Sequence, residues 1–271
     1  MKRSVLLFLI ILITNTLFSQ GESAVKVYYE NTESDLTVYA DNSGFVSKSV
    51  RIEMEYKGFR NIGTSQDVFF IPPNTKKLKL IELELTGQGK VSFGYEYTIY
   101  FGDVNAKHDD TFPYMLPFSD EIDFKLTQGY NGKFSHQSKK ALDFTMPIGT
   151  KIVAARSGVI IDSKEDSNTG CEAPRCLDAA NYITVLHNDG SFAQYYHLKQ
   201  NGVVVALSDI VEQGQLIGYS GNTGFTSGAH LHFEVNISTL EGIKTVPTQF
   251  NIEGKKQLLK YGDMYASSQK K

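Results

Sequence analysis

The sequence predicts an all-β protein in two parts, and three observations lead there. Short runs alternate apolar and polar residues, as half-buried strands do. Turn-forming Pro, Gly, Asn and Asp separate those runs. Beyond about residue 118 the pattern of strands and tight turns continues with more glycine, which sets the second part apart from the first.

The first twenty residues read as a signal peptide rather than part of the fold. Lys2 and Arg3 precede an apolar run at 5–13, and polar Thr14-Asn15-Thr16 and a loosely defined cleavage region follow. The run is too short for a convincing membrane span. With no cysteine near the cleavage region to accept a lipid, a lipoprotein anchor is not expected, while retention as an uncleaved anchor stays open. The chain is therefore expected to be exported, to the periplasm or outside the cell, with no stable membrane span after cleavage. The rest of the chain has room for one large domain or two ordinary ones. The full sequence's formal charge of -3 gives no basic surplus for nucleic acid. The two cysteines, Cys171 and Cys176, read in an exported chain as a loop-closing disulfide, and no second pair exists to complete a zinc knuckle.

Residues 21–102 hold the first part. Val50, Ile52, Met54 and Tyr56 alternate with Arg51, Glu53, Glu55 and Lys57, and Val91 to Tyr100 repeat the pattern. Pro72-Pro73-Asn74 supplies a turn before the strand through Leu78, Leu80 and Leu85. Several such strands suggest a small immunoglobulin-like β-sandwich. Nothing in it gathers chemical groups, so a structural or wall-recognition role is expected. Residues 103–115 read as a linker in which His108 is solvent-exposed. The strands of the second domain fill 116–237, interrupted by an insertion at 163–180 that carries both cysteines. Residues 238–271 form a C-terminal extension whose 240–245 and 247–252 stretches read as surface excursions.

The chemistry gathers at residues 220–234, SGNTGFTSGAHLHFE. Gly221, Asn222, Thr223, Gly224 and Gly228 lead into a strand carrying His230 and His232. Strand side chains alternate, so the two imidazoles share a face and Leu231, Phe233 and Val235 take the other. The plain reading is two surface histidines near a turn; the alternative is a pair of nitrogen ligands. His136, Asp143 and His197 compete for further roles. Asp143 sits between apolar Leu142 and Phe144, where a carboxylate is costly unless paired or metal-bound. His197 ends a strand, sharing by alternation the face of Tyr195. Donors without thiolates suit a zinc Lewis acid. No HExxH pattern places a glutamate base on a helix. Glu234 shares the face of the two histidines, as an orienting partner or an ordinary strand-end charge. Ser135 and Ser220 are not needed as nucleophiles.

SH at 135–136, ALDF at 141–144, PIGTKIVAARSGVI at 147–160, YYHL at 195–198, VEQGQLIGYSGNTG at 211–224 and GAHLHFE at 228–234 together resemble the M23 family of zinc peptidases, the lysostaphin-like or LytM-type peptidoglycan hydrolases. The resemblance covers about 116–236 and implies a LytM/lysostaphin-like antiparallel β-domain. It implies that His136, Asp143 and His232 hold zinc, and that His197 and His230 flank the attacking water as base and oxyanion partner. The implied activity is a metallo-endopeptidase that hydrolyses peptide cross-links of bacterial peptidoglycan through a zinc-activated water. The alternative is a non-catalytic domain of the same type that binds wall or a partner protein and regulates cell-wall remodelling. One departure stands out: six residues separate His136 from Asp143 where the commonest pattern is H-x3-D.

Overall fold

The computed structural model describes residues 24–266, apart from 88, 120 and 121; the signal peptide read at 1–20 lies outside the described residues. The chain forms two compact units. One holds the described residues up to Val104 with Ser238–Gly242, and the other holds Asn105–Ile237 with the residues from Ile243 onward.

The first unit contains β1 (Val25–Asn31), β2 (Asp35–Asn42), β3 (Lys48–Lys57), β4 (Phe59–Asn61), β5 (Val68–Ile71), β6 (Thr75–Leu85) and β7 (Ser92–Phe101). They make a four-stranded sheet, β1-β2-β6-β4, and a three-stranded sheet, β5-β3-β7. Val38, Ala40 and Leu83 from one sheet share a core with Val50, Ile52 and Ile71 from the other. Each such buried aliphatic contributes roughly 1.5–3 kcal/mol of apolar transfer. Alternation holds for Val50 and Ile52 but fades along β3, where Tyr56 is exposed. The register explains it: β5 pairs with β3 only as far as Arg51, beyond which β3 and β7 continue as a two-stranded ribbon with less sheet beside it.

The second unit opens with β8 (Pro113–Tyr114), β9 (Phe124–Gln128), β10 (Ala141–Thr145), β11 (Lys151–Val153) and β12 (Gly158–Lys164). Then come β13 (Gly170–Cys171), a 3-10 helix (Pro174–Ala179), β14 (Tyr182–Leu186), β15 (Phe192–Tyr196), β16 (Leu198–Val203), β17 (Ile210–Val211) and β18 (Leu216–Ser220). The last are β19 (Gly224–Phe225), β20 (His230–Thr239), β21 (Gly242–Val246), β22 (Gln249–Ile252), β23 (Lys255–Gln257) and β24 (Met264–Tyr265). The main sheet runs β17-β12-β14-β15-β20-β10-β9-β24, with β21 beside β20. One face is apolar: Leu126, Leu142, Phe144, Tyr195, Leu231, Phe233 and Val235 all bury there. The opposite face carries the polar residues of the same strands. Asp189-Gly190 makes the β14–β15 hairpin, with Gly190 at φ +82°, a value that a side chain disfavours.

Two expectations are corrected here. His108 is not a solvated linker residue: its side chain is 4% exposed, and its Nε2 lies 3.1 Å from the Tyr114 hydroxyl. Residues 247–252 are not a surface excursion either. Phe250 on β22 is fully buried in the core, and β22 pairs in parallel with β8. An aromatic ring with a strand partner on each side of its backbone is held in place, whatever the polarity of its sequence neighbours.

Candidate metal centre

The polar face of the main sheet brings one row of side chains into line. Asp143 on β10 lies opposite His232 on β20 and opposite Gln128 on β9, while Tyr196 on β15 lies opposite His232 from the other side. Asp143 and His232 arrive there by simple alternation, with their apolar neighbours anchored in the core. Gln128 does not. Phe124 and Leu126 point into the core, and alternation would send Gln128 after them, but Thr127 is an extra residue at a β-bulge that turns Gln128 to the site face.

His136 joins the row from the loop between β9 and β10. That loop closes on itself through bonds from the Gly132 N–H to the Gly129 carbonyl, the His136 N–H to the Gly132 carbonyl and the Asn131 N–H to the Lys139 carbonyl. The six-residue spacing is thus a folded turn that returns His136 to Asp143. Gln128 secures it, since its side-chain oxygen accepts from the Phe134 and Ser135 N–H groups while its Nε2 donates to Asp143 Oδ2 at 2.8 Å.

Three donor atoms converge. His136 Nε2 is 3.2 Å and His232 Nδ1 is 2.9 Å from Asp143 Oδ1, and the two nitrogens are 3.1 Å apart. A tetrahedral metal with bonds of about 2.0 Å sets neighbouring ligand atoms about 3.3 Å apart, so the set fits zinc closely. The far sides of both rings agree. His136 Nδ1 donates to the Gly129 carbonyl at 3.1 Å and His232 Nε2 donates to Glu234 Oε2 at 3.2 Å. With those nitrogens bonded outward, the converging pair can offer lone pairs to a cation. A proton takes that place until a metal displaces it.

Electrostatics follow from the same contacts. Burial works against ionisation of Asp143, yet His136 and His232 hold its carboxyl well below the usual range. Burial also pushes His232 down, but Asp143 and Glu234 outweigh it and raise the imidazole to about 9. Glu234, only 6% exposed, is held at about 2 by His232, with Lys139 and Asn236 adding to it against its burial. It is therefore an oriented buried carboxylate rather than a strand-end charge.

His197 and His230 stand beside the cluster with ring centroids 4.4 Å apart. His230 follows β20 alternation. His197 departs from expectation: Tyr195 is buried in the core, and His197 does not share its face. A backbone φ of +66° at His197 turns its ring toward His232, 6.0 Å away between centroids. Its Nδ1 donates to the Thr223 carbonyl at 2.7 Å, and His230 Nδ1 donates to the Gly228 carbonyl at 2.7 Å. Burial pushes His197 down to about 3, with His230 and His232 adding to it, and burial lowers His230 as well. Ser220 is fully buried and donates to the Pro147 carbonyl, a turn-stabilising role.

A groove of about 680 Å³ opens over the row, walled by Phe134, Leu177, Asp178, Tyr196 and Phe225. Phe134 and Phe225 stack at 5.8 Å. Cys171 and Cys176 form the expected disulfide in the insertion that brings Leu177 and Asp178 to the groove. Sequence reading missed Gln128, the Gly129 carbonyl and Thr223. Only Gln128 leaves a trace, as a polar residue where alternation expects an apolar one. Among the described residues, no helix is long and apolar enough to cross a membrane.

Known proteins resemble parts of this chain. An uncharacterized metalloprotease of Buchnera aphidicola subsp. Baizongia pistaciae is 29% identical over 212 residues, 74% of this chain and 53% of that protein. Peptidoglycan DD-endopeptidase ShyA of Vibrio cholerae serotype O1 is 34% identical over 173 residues, 58% of this chain and 37% of that protein. The chain thus spans about half, or less, of the length of these relatives. The catalytic domain of the antimicrobial peptidase lysostaphin from Staphylococcus simulans is 31% identical, with 45% of this chain and 86% of that domain covered, at a TM-score of 0.33. The regular structure of the described residues is almost entirely β-strand. Peptidase family M23 matches residues 137–244, the stretch holding Asp143, His197, His230 and His232 and starting one residue after His136, and over that stretch the chain is homologous to the family.

Proposed function

We propose that this chain is a zinc metallo-endopeptidase that hydrolyses peptide cross-links of bacterial peptidoglycan. One observation carries the reading: three donors converge beneath an open groove, with two further imidazoles at its edge. His136 through Nε2, Asp143 through Oδ1 and His232 through Nδ1 would hold the metal, three protein ligands being the catalytic rather than the structural number. Bound there, zinc supplies a Lewis acid that polarises a peptide carbonyl and makes water more acidic. The remaining work falls to the chain. With Nδ1 protons tied to carbonyls, His197 and His230 present Nε2 for chemistry. Burial keeps His197 neutral, and its Nδ1 bond to the Thr223 carbonyl leaves the Nε2 lone pair as the position for a proton from an attacking water. The Thr223 carbonyl then steadies the imidazolium, which returns the proton to the leaving amine. His230 shares this duty or, once protonated on Nε2, donates to the oxyanion. No acyl-enzyme is needed.

The substrate assignment leans on the name of ShyA, a peptidoglycan DD-endopeptidase, and export of this chain would bring it to that substrate. The same reading divides the chain into a signal peptide (1–20), a sandwich domain (21–102), a linker (103–115), a peptidase domain (116–237) and an extension (238–271). In it β8 and β22–β24 dress the peptidase domain from outside its own segment. The seven strands of the first unit, in sheets of four and three, support an immunoglobulin-like sandwich there.

The test is purified protein with isolated peptidoglycan, products read by mass spectrometry. New amino termini within the peptide bridges, lost with a chelator and restored by zinc, are expected. Intact peptidoglycan from zinc-loaded protein would overturn the reading in favour of a wall- or partner-binding domain.

A further inference from the structure

The disulfide-bearing insertion does more than wall the groove. β19 belongs to a two-stranded sheet whose other member is β13 of the insertion, with Gly170 opposite Gly224 and Cys171 opposite Phe225. The Gly224 N–H donates to the Thr169 carbonyl at 2.8 Å, and the Thr226 N–H donates to the Cys171 carbonyl at 3.1 Å. At the other end of the insertion, the Asn181 N–H donates to Thr223 Oγ1 at 3.0 Å. Contact is close enough to exclude side chains. A Cβ at Gly170 would stand 1.9 Å from the Asn222 carbonyl oxygen, and one at Gly224 would stand 2.5 Å from Ala180 Cβ. The segment 222–228 gripped in this way supplies the two carbonyls, Thr223 and Gly228, that hold the Nδ1 protons of His197 and His230. Thr226 Oγ1 also stands 3.3 Å from His230 Nδ1.

We infer that the insertion 165–181, closed by Cys171–Cys176, is the positioning element for His197 and His230, acting through the 222–228 segment. It sets the tautomer and the direction of both rings without touching the metal ligands. The disulfide matters because Cys171 lies on the gripping strand, while Cys176 is buried in the short helix that returns to Asn181. Joining them keeps the strand and the return of the insertion at a fixed separation. Loss of the bond lets β13 drift from β19, and the two carbonyls then no longer meet the imidazoles squarely. The inference rests on the proposed catalytic role of the two histidines for its kinetic consequence, though not for its structural one.

The test is the double variant Cys171→Ser/Cys176→Ser of the full chain, loaded with zinc. Imidazole ¹⁵N spectra report the tautomers, chelator competition reports zinc affinity, and peptidoglycan cleavage reports kcat and KM. In the parent, His197 and His230 should both show an exchange-protected Nδ1 proton. In the variant those signals should be lost or broadened, kcat should fall about tenfold or more, and zinc affinity should stay within about twofold. Unchanged Nδ1 signals overturn the inference, as does a parallel loss of zinc affinity, which would mark a general loosening of the domain. If the parent cleaves nothing, the proposed activity falls, and the spectra alone decide the positioning role. If the double variant does not fold, Gly170→Ala with the disulfide intact forces β13 away from the 222–228 segment instead, and the same spectral loss is expected.

Discussion

The second unit holds two clusters, each built on an aspartate with histidine nearby, and they end in opposite roles. In one, Asp189 meets the Arg156 guanidinium at 2.7 Å, Asn188 and the Tyr114 hydroxyl take further guanidinium bonds, and Phe112 lies under it at 4.2 Å. His187 packs on Tyr114, donates from Nδ1 to the Ser157 carbonyl, and is pushed by burial down to about 4, so it stays neutral. The chain supplies both charges itself. In the other cluster, Asp143 finds Gln128 and three imidazoles, two of which turn a ring nitrogen to its own oxygen. A buried carboxylate closed by its own arginine is architecture, whereas one ringed by converging imidazole nitrogens is a socket for a cation from solution.

The contrast is broken first at the socket. Asp143→Asn should lower cleavage on the order of 10⁴-fold and leave zinc substoichiometric by elemental analysis while the domain stays folded. Retained zinc and activity would sink the assignment. His197→Ala separates binding from chemistry: zinc content should hold while kcat drops roughly 10²–10⁴-fold. At the self-neutralised cluster the loss should appear in stability instead. Arg156→Met takes the guanidinium from Asp189, which keeps its bonds from Ser191 and the Asp109 N–H, and should cost about 1.5–3 kcal/mol in urea unfolding, with zinc binding intact in the folded fraction.

His187 sharpens the same contrast through pH. Its folded value near 4 lies below the ordinary 6.5, so between those values the unfolded chain binds the proton first. Stability is therefore full above 6.5 and falls as pH drops toward 4, by about 3 kcal/mol at most. Urea titrations at several pH values should show a shallower slope across that window in His187→Gln, and an identical slope would remove His187 as the cause. The smallest effect belongs to Glu234. Glu234→Gln keeps an acceptor for His232 but loses the charge, and zinc affinity by chelator competition should weaken about tenfold.

Much of this was legible in the chain itself. Period-two patterning placed Asp143, His230 and His232 on one face, because each sits between residues that must bury and a strand leaves only two directions. The adjacent hydrophobic anchors Leu142, Phe144, Leu231 and Phe233 do the choosing. Glu234 shared that face by the same rule, yet its role stayed ambiguous. Whether a strand carboxylate meets solvent or an imidazole depends on what covers it. The two cysteines were legible as a bond, but the segment that the bond steadies was not.

By itself the sequence determined an all-β chain, the strand residues of the site and the zinc-suited donor chemistry, since alternation and side-chain chemistry are local properties. Only the tertiary structure decided the rest. It placed His136 through a self-bonded loop, Gln128 through a bulge, and His197 through a left-handed backbone. It also drew Phe250 inward and hid His108 against Tyr114. Each of these depends on a backbone departure from the regular period, or on a partner distant in the chain. No pattern of neighbouring residues records either.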